Sequence, residues 1–101
     1  MIKHVVMWKL KDFVDHKSKA ENARTMKLMI EELKIKIKEV KFLEVGIRSE
    51  NSASNYDIVL VSAFHDWKGL DTYLHHPEHH SVRDFVVKVS TERAVVDFES
   101  D

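Results

Sequence analysis

The chain has 101 residues, of which 44% are hydrophobic and 33% are charged, and its 16 basic residues nearly balance 17 acidic ones. This length and composition predict one globular domain over residues 1–101, and the net charge of -1 argues against nucleic acid or a membrane surface as a partner. The lack of cysteine rules out disulfides and thiolate chemistry, and we expect a cytoplasmic protein without a signal or membrane segment.

The first half of the chain predicts a strand, a helix and a second strand. Residues 2–11 alternate between two faces, as a strand does, and His4 lies in an otherwise apolar row. Apolar residues then recur every three or four positions from Ala23 to Val40, which predicts a long amphipathic helix that starts near Ser18. Residues 42–48 favour the next strand.

The second half predicts another strand, two helical segments and a final strand. The polar loop 49–55 leads into a strand over residues 56–65, so that this strand and the one before it form a hairpin. Asp66 suits the N-cap of a short helix through His76, with Trp67 on its core side, and Pro77 suits the first turn of a helical segment that ends near Val89. The β-branched stretch 93–99 favours the last strand.

This element order predicts an α+β, ferredoxin-like βαββαβ fold with an antiparallel four-stranded sheet and helices on one face. Two helices can cover only one sheet face, yet strands 2–11 and 56–65 carry apolar residues on both. A second copy of the chain would bury the other face most simply. We therefore expect a homodimer that associates through its sheet faces.

Three stretches resemble the stress-responsive α/β-barrel domain, or Dabb, family: "IKHVVMWKLKD" near the start, "YDIVLVSAFHDWKGLDTYLHHPEH" in the middle and "RAVVDFE" near the end. The resemblance covers nearly the whole chain. It implies a ferredoxin-like fold whose sheets pair into a dimeric α/β barrel, in agreement with the expected homodimer.

The resemblance also implies candidate site residues. Many family members are stress-induced or uncharacterised proteins, but a plant member, olivetolic acid cyclase, cyclises a polyketide thioester by an aldol reaction without a metal. Its motif implies a catalytic His79, an assisting Tyr73 and a pocket-lining His4. The long helix departs from that cyclase, because it offers aliphatic and methionine side chains, such as Met26, where the enzyme has aromatic ones.

Two interpretations of the histidine-rich segment stay open. His79 in an apolar pocket would be neutral and able to accept a proton, while Tyr73 would stabilise a developing enolate. Alternatively, the imidazoles bond to free backbone groups and only join two helices. His4 needs a hydrogen-bond partner on its apolar strand face, either among these side chains or at a backbone carbonyl.

A metal site is a weaker hypothesis. The pairs His75/His79 and His76/His80 have the four-residue spacing of helical zinc ligands, but Pro77 interrupts both intervals. We expect no metal and no cofactor. The expected ligand is a small apolar or polyketide-like molecule that contacts Val6, Trp8, Met26 and Phe85.

Three functions follow from these residues: a small-molecule binding domain, a metal-free enzyme of the lyase/cyclase or monooxygenase type that uses His79 as base, or a purely structural stress-related dimer. An enzyme needs an accessible cavity and a histidine with a shifted pKa, whereas a binding domain needs only the cavity and a structural dimer needs neither.

Overall fold

The computed structural model describes all 101 residues, and its main feature is an antiparallel sheet with the strand order β4-β5-β1-β6. The elements, in chain order, are β1 (Ile2–Leu10), β2 (Phe13–Val14), β3 (Lys17–Ser18), α1 (Lys19–Lys36), β4 (Val40–Ile47), β5 (Ile58–Phe64), α2 (Trp67–Leu74), α3 (Pro77–Val89) and β6 (Ser90–Glu99). The predicted α+β ferredoxin-like fold and the hairpin of β4 and β5 are confirmed.

Local signals in the sequence fix the starts of the helices. Ser18 and Glu21 form a reciprocal capping box at the start of α1, because each side chain accepts a hydrogen bond from the other's backbone N–H, at 3.2 and 3.1 Å. The Asp66 carboxylate accepts from the Gly69 N–H at 2.8 Å, and Pro77 is the first residue of α3. None of the helices is both long and apolar enough to span a membrane.

The structure differs from the sequence predictions at three places. Val40 is not helical but is the first residue of β4, opposite Phe64. Its position fits the apolar spacing of the helix because a strand at this point buries it in the same core. β2 and β3 form a short ribbon where only a polar break was expected, and its tight turn places Asp15 and His16 at φ 53° and 65°. Trp67 is 49% exposed rather than buried, and its indole N–H donates to the Glu99 carboxylate at 3.2 Å.

The core lies between one face of the sheet and the helices. Alternate residues of β1 point to this face, because successive side chains of a strand lie on opposite sides. From α1, Met26, Ile30 and Leu33 pack onto the sheet, and Val86 and Val89 of α3 complete the layer. The buried row of β1 consists of Ile2, His4, Val6, Trp8 and Leu10.

No helix covers the opposite sheet face, which is rich in apolar side chains. The strand register brings Val5 of β1 between Val61 of β5 and Val96 of β6 on this face. Val96 is 55% exposed and Phe98 is 43% exposed, although both side chains are apolar. We call this surface the open face; its apolar residues are Val5, Met7, Phe42, Val59, Val61, Ala63, Ala94, Val96 and Phe98.

Candidate functional site

A cavity of about 570 Å³ lies between the covered face of the sheet and the segment formed by α2 and α3. Ten of its seventeen lining residues are hydrophobic, and the rest include four histidines and two arginines. The lining residues are His4, Val6, Trp8, Ile30, Leu33, Leu60, Tyr73, Leu74, His75, His79, His80, Val82, Arg83, Val86, Val87, Ser90 and Arg93. The cavity thus combines an apolar wall with a few polar groups, as small-molecule sites usually do.

His4 is held by a carboxylate from the neighbouring strand. Its Nδ1 lies 2.5 Å from Oδ1 of Asp97, which occupies the facing position on β6. Because a carboxylate oxygen only accepts, the Nδ1–H donates, and this bond fixes the tautomer and the orientation of the ring. The partner of His4 is therefore neither of those expected from the sequence, a side chain of the histidine-rich segment or a backbone carbonyl.

Tyr73 forms the floor of the polar part of the cavity. Its side chain is 1% exposed, and its ring packs on Phe64 with the ring centroids 5.0 Å apart. The ring also lies edge-on to His4, at 6.2 Å between centroids. Burial raises the pKa of the Tyr73 phenol, so this hydroxyl stays protonated and able to donate a hydrogen bond at neutral pH.

His79 points inward from the first turn of α3. Its ring lies 4.7 Å from the Tyr73 ring, centroid to centroid, and its Nδ1 is buried with no hydrogen-bond partner. Burial lowers the pKa of His79 to about 4, with smaller contributions from neighbouring cationic groups that include Arg83 and Arg93. The imidazole is therefore neutral at pH 7, as the base hypothesis required.

The neighbouring histidines bond to the backbone where the two helices join. The His75 Nδ1–H donates to the Asp71 carbonyl at 2.9 Å, at the end of α2. The His76 Nδ1 accepts from the Glu78 N–H at 3.1 Å and so caps α3. These two imidazoles fit the helix-joining interpretation, whereas His79 does not, because its Nδ1 has no such partner.

The structure brings together most of the residues selected from the sequence. His4, Tyr73, His79, Val6 and Trp8 line the same cavity. Met26 is fully buried in the core behind it, and Phe85 packs against that core on another side of α3, so neither lines the cavity.

Sequence reasoning missed Asp97, Arg83 and Arg93. For Asp97 the one sign was its place in the β-branched final strand, where aspartate is uncommon, and no signal in the sequence marked Arg83 on α3. No group of three or more histidine or acidic side chains is placed to hold a metal ion.

Comparison with known proteins identifies related structures. The model of the Stress Responsive A/B Barrel Domain family matches residues 2–100. A dimeric protein of unknown function with a ferredoxin-like fold from Bacteroides fragilis is 32% identical, with a TM-score of 0.87, over 98% of this chain and 95% of that one. A dimeric ferredoxin-like protein of unknown function from Thermobifida fusca is 23% identical, with a TM-score of 0.83, over 96% of this chain and 88% of that one.

A more distant similarity links the fold to an enzyme. Hydroxynitrile lyase from Passiflora edulis is 15% identical, with a TM-score of 0.78, over 96% of this chain and 90% of that one. At this level of identity the likeness shows a common fold only. No functionally curated protein matches the sequence.

Proposed function

Because the chain belongs to the family of stress responsive A/B barrel domains, we propose that it is a homodimeric small-molecule binding protein. Its ligand occupies the cavity beside His4, Tyr73 and His79. Location in the cytoplasm, expected from the composition, stays a prediction.

The unpartnered Nδ1 of His79 carries this proposal. A buried polar atom without a hydrogen bond costs about 1 to 3 kcal/mol, so such atoms are rare in folded proteins. This one lies next to Tyr73 at the wall of a cavity large enough for a small organic molecule. A ligand that hydrogen-bonds to His79 removes the cost, and its binding is thereby favoured over an empty site.

The rest of the wall favours a mainly apolar ligand. Val6, Trp8 and Leu60 of the sheet face Val82 and Val86 of α3 across the cavity. Contact with these side chains removes apolar ligand surface from water, which contributes roughly 25 cal/mol per Å² buried. The polar groups then fix the orientation of the ligand, whereas the apolar wall provides most of its affinity.

The binding proposal can be tested with 4-butylbenzamide, a neutral probe that has an apolar body and one hydrogen-bonding group. We expect it to shift the NMR signals of the His79 and Tyr73 rings in the wild-type protein. His79→Leu removes the free nitrogen and is expected to weaken binding about tenfold, while His65→Leu, an exposed histidine outside the cavity, leaves it unchanged. Equal affinity of all three proteins would overturn the proposal.

The apolar open face is the structural argument for a homodimer. Exposed apolar surface of this kind on a sheet marks an interaction site, and none of the three helices lies on this face. The relatives from Bacteroides fragilis and Thermobifida fusca are both described as dimeric. Sheet-to-sheet packing of two copies would give the dimeric barrel that the sequence predicted.

A metal-free enzyme is the second candidate, and the His4–Asp97 pair favours it. A histidine whose Nδ1–H donates to a carboxylate presents Nε2 as a proton acceptor, the arrangement of many general bases. His79 is less suited to that role, because a pKa of about 4 makes its imidazole a weak base. In this candidate, His4 abstracts a proton and the Tyr73 hydroxyl stabilises the resulting enolate.

The enzyme candidate has a direct test. We would incubate the protein with the N-acetylcysteamine thioester of a linear tri-β-keto acid and follow ring closure by mass spectrometry. His4→Gln and Asp97→Asn are each expected to slow turnover by about 100-fold, because positioned acid–base catalysis contributes at least that much. Wild-type turnover no faster than the buffer reaction would remove this candidate for polyketide thioesters.

A further inference from the structure

The charged side chains that line the cavity are all cationic. Arg83 comes from α3 and Arg93 from β6, and both are exposed where they border the cavity. No aspartate or glutamate is among the seventeen lining residues. Neither arginine takes part in an ion pair within the chain. Two guanidinium groups thus border an apolar cavity without a counter-ion.

The two acidic residues of β6 nearest to Arg93, Asp97 and Glu92, do not neutralise it. Asp97 shares the strand face of Arg93, but four residues of extended strand separate their Cα atoms by about 13 Å. Its Oδ1 is already bonded to His4. Glu92 follows the alternation of β6 to the open face, where it pairs with Lys9 at 3.3 Å.

We propose that the ligand carries a carboxylate, which binds between Arg83 and Arg93 while its apolar body lies against the sheet. This inference rests on the proposed binding function and specifies the chemical class of the ligand. Guanidinium groups match carboxylates in shape and charge, since the planar fork of an arginine can donate two parallel hydrogen bonds to one carboxylate.

The location of the arginines explains why the two ends of the ligand differ. Arg83 and Arg93 are exposed, so a carboxylate between them keeps part of its hydration and avoids the cost of full burial. His79 and Tyr73 lie deeper and are uncharged at neutral pH, which suits them to a neutral hydrogen-bonding group. An anionic group at the mouth and a neutral polar group inside are therefore both accommodated.

Three probes of one shape and different charge test this inference by calorimetry: 4-butylbenzoate, 4-butylbenzamide and 4-butylbenzylammonium. The wild-type dimer is expected to bind the carboxylate at least tenfold more tightly than the amide, and the ammonium most weakly. Arg83→Gln combined with Arg93→Gln should bring carboxylate affinity down to that of the amide and leave amide affinity unchanged. A charge-matched control, Arg24→Gln with Lys34→Gln, alters two exposed cations on α1 outside the cavity and should keep the preference.

The outcomes separate this inference from the proposed function. If the amide binds as tightly as the carboxylate, or if the double arginine variant keeps the preference, the carboxylate inference is wrong and the binding function stands. If none of the three probes binds, both are overturned. Loss of the preference in the α1 control as well would show a general effect of net charge and would also overturn the inference.

Discussion

His4 and Asp97 form a hydrogen-bonded pair across the boundary between β1 and the edge strand β6, with 2.5 Å between Nδ1 and Oδ1. The pair ties the two ends of the chain together, since 93 residues separate its members. The imidazole is 4% exposed and the carboxylate 34%, so one partner is buried and the other borders solvent. The pair therefore both satisfies a buried ring and holds that ring in one orientation beside the cavity.

Replacing either His4 or Asp97 should lower the free energy of unfolding. The loss in the double variant should be smaller than the sum of the losses in the two single variants. We expect a coupling free energy of about 1 kcal/mol between His4→Gln and Asp97→Asn, below that of a fully buried charged pair because Asp97 is partly exposed. Urea unfolding of the wild type, the two single variants and the double variant gives this quantity directly. Additive effects would show that the short contact contributes nothing to stability.

His79 should make stability depend on pH. Its pKa is about 4 in the folded protein and ordinarily 6.5, so protonation favours the unfolded state. The contribution of the neutral His79 ring to stability is fully present above pH 6.5 and is lost as the pH falls towards 4. We expect a loss of about 1 to 2 kcal/mol over this range, less than a fully buried ring would give.

The variant His79→Leu isolates this effect from the other titrating groups. We would measure the free energy of unfolding of both proteins in urea at pH 7 and pH 4.5. Between these two values the wild type should lose more stability than the variant, which has no imidazole at this position. An NMR titration of the wild type should place the midpoint of His79 near pH 4. A midpoint close to the ordinary value would contradict both expectations.

Most elements were predictable because their signals are local. Ser18, Asp66 and Pro77 mark helix starts through hydrogen bonds and backbone angles that involve only near neighbours in the chain. The end of α1 was not predictable in the same way, because Val40 is buried whether it is read as helix or as strand. The exposure of Trp67 likewise depends on where α2 meets the end of β6, which no local pattern encodes.

The site was predictable only in part. Resemblance to a family selected His4, Tyr73 and His79, and the structure brings all three to one cavity, while their roles stay proposals. Asp97 was missed because its pairing with His4 depends on the register between the first and last strands. Met26 was expected to line the cavity, but it lies one turn before Ile30 on the same face of α1 and is buried in the core beyond the cavity. The sequence does not show how far along α1 the cavity extends.

Tyr73 should contribute to stability through its ring and not through its hydroxyl. The ring is buried against Phe64 and His79, so Tyr73→Ala is expected to cost about 3 to 5 kcal/mol, as for other buried aromatic residues. The hydroxyl makes no hydrogen bond within the chain, so Tyr73→Phe should change stability by less than about 0.5 kcal/mol. Urea unfolding of the two variants measures this contrast, and a large loss in Tyr73→Phe would reveal a hidden partner.

The open face should determine the oligomeric state. We expect the wild type to have a mass of about 24 kDa by light scattering at micromolar concentration, which is twice the 11.9 kDa of one chain. Val96→Glu places a charge among the apolar residues of the open face, where burial against a second copy would be costly, and should therefore yield the monomer mass. Val96 is 55% exposed in the single chain, so the monomer itself should remain folded by circular dichroism.

The matched control for this variant lies on the other side of the molecule. Ile35 on α1 is 87% exposed and outside the open face, so Ile35→Glu introduces the same charge without affecting sheet-to-sheet packing. This control should keep the dimer mass, and its retention would show that the loss in Val96→Glu is specific to the open face. A wild type that scatters as a monomer, or a Val96→Glu variant that remains dimeric, would mean that something other than a second copy on this face accounts for its apolar surface.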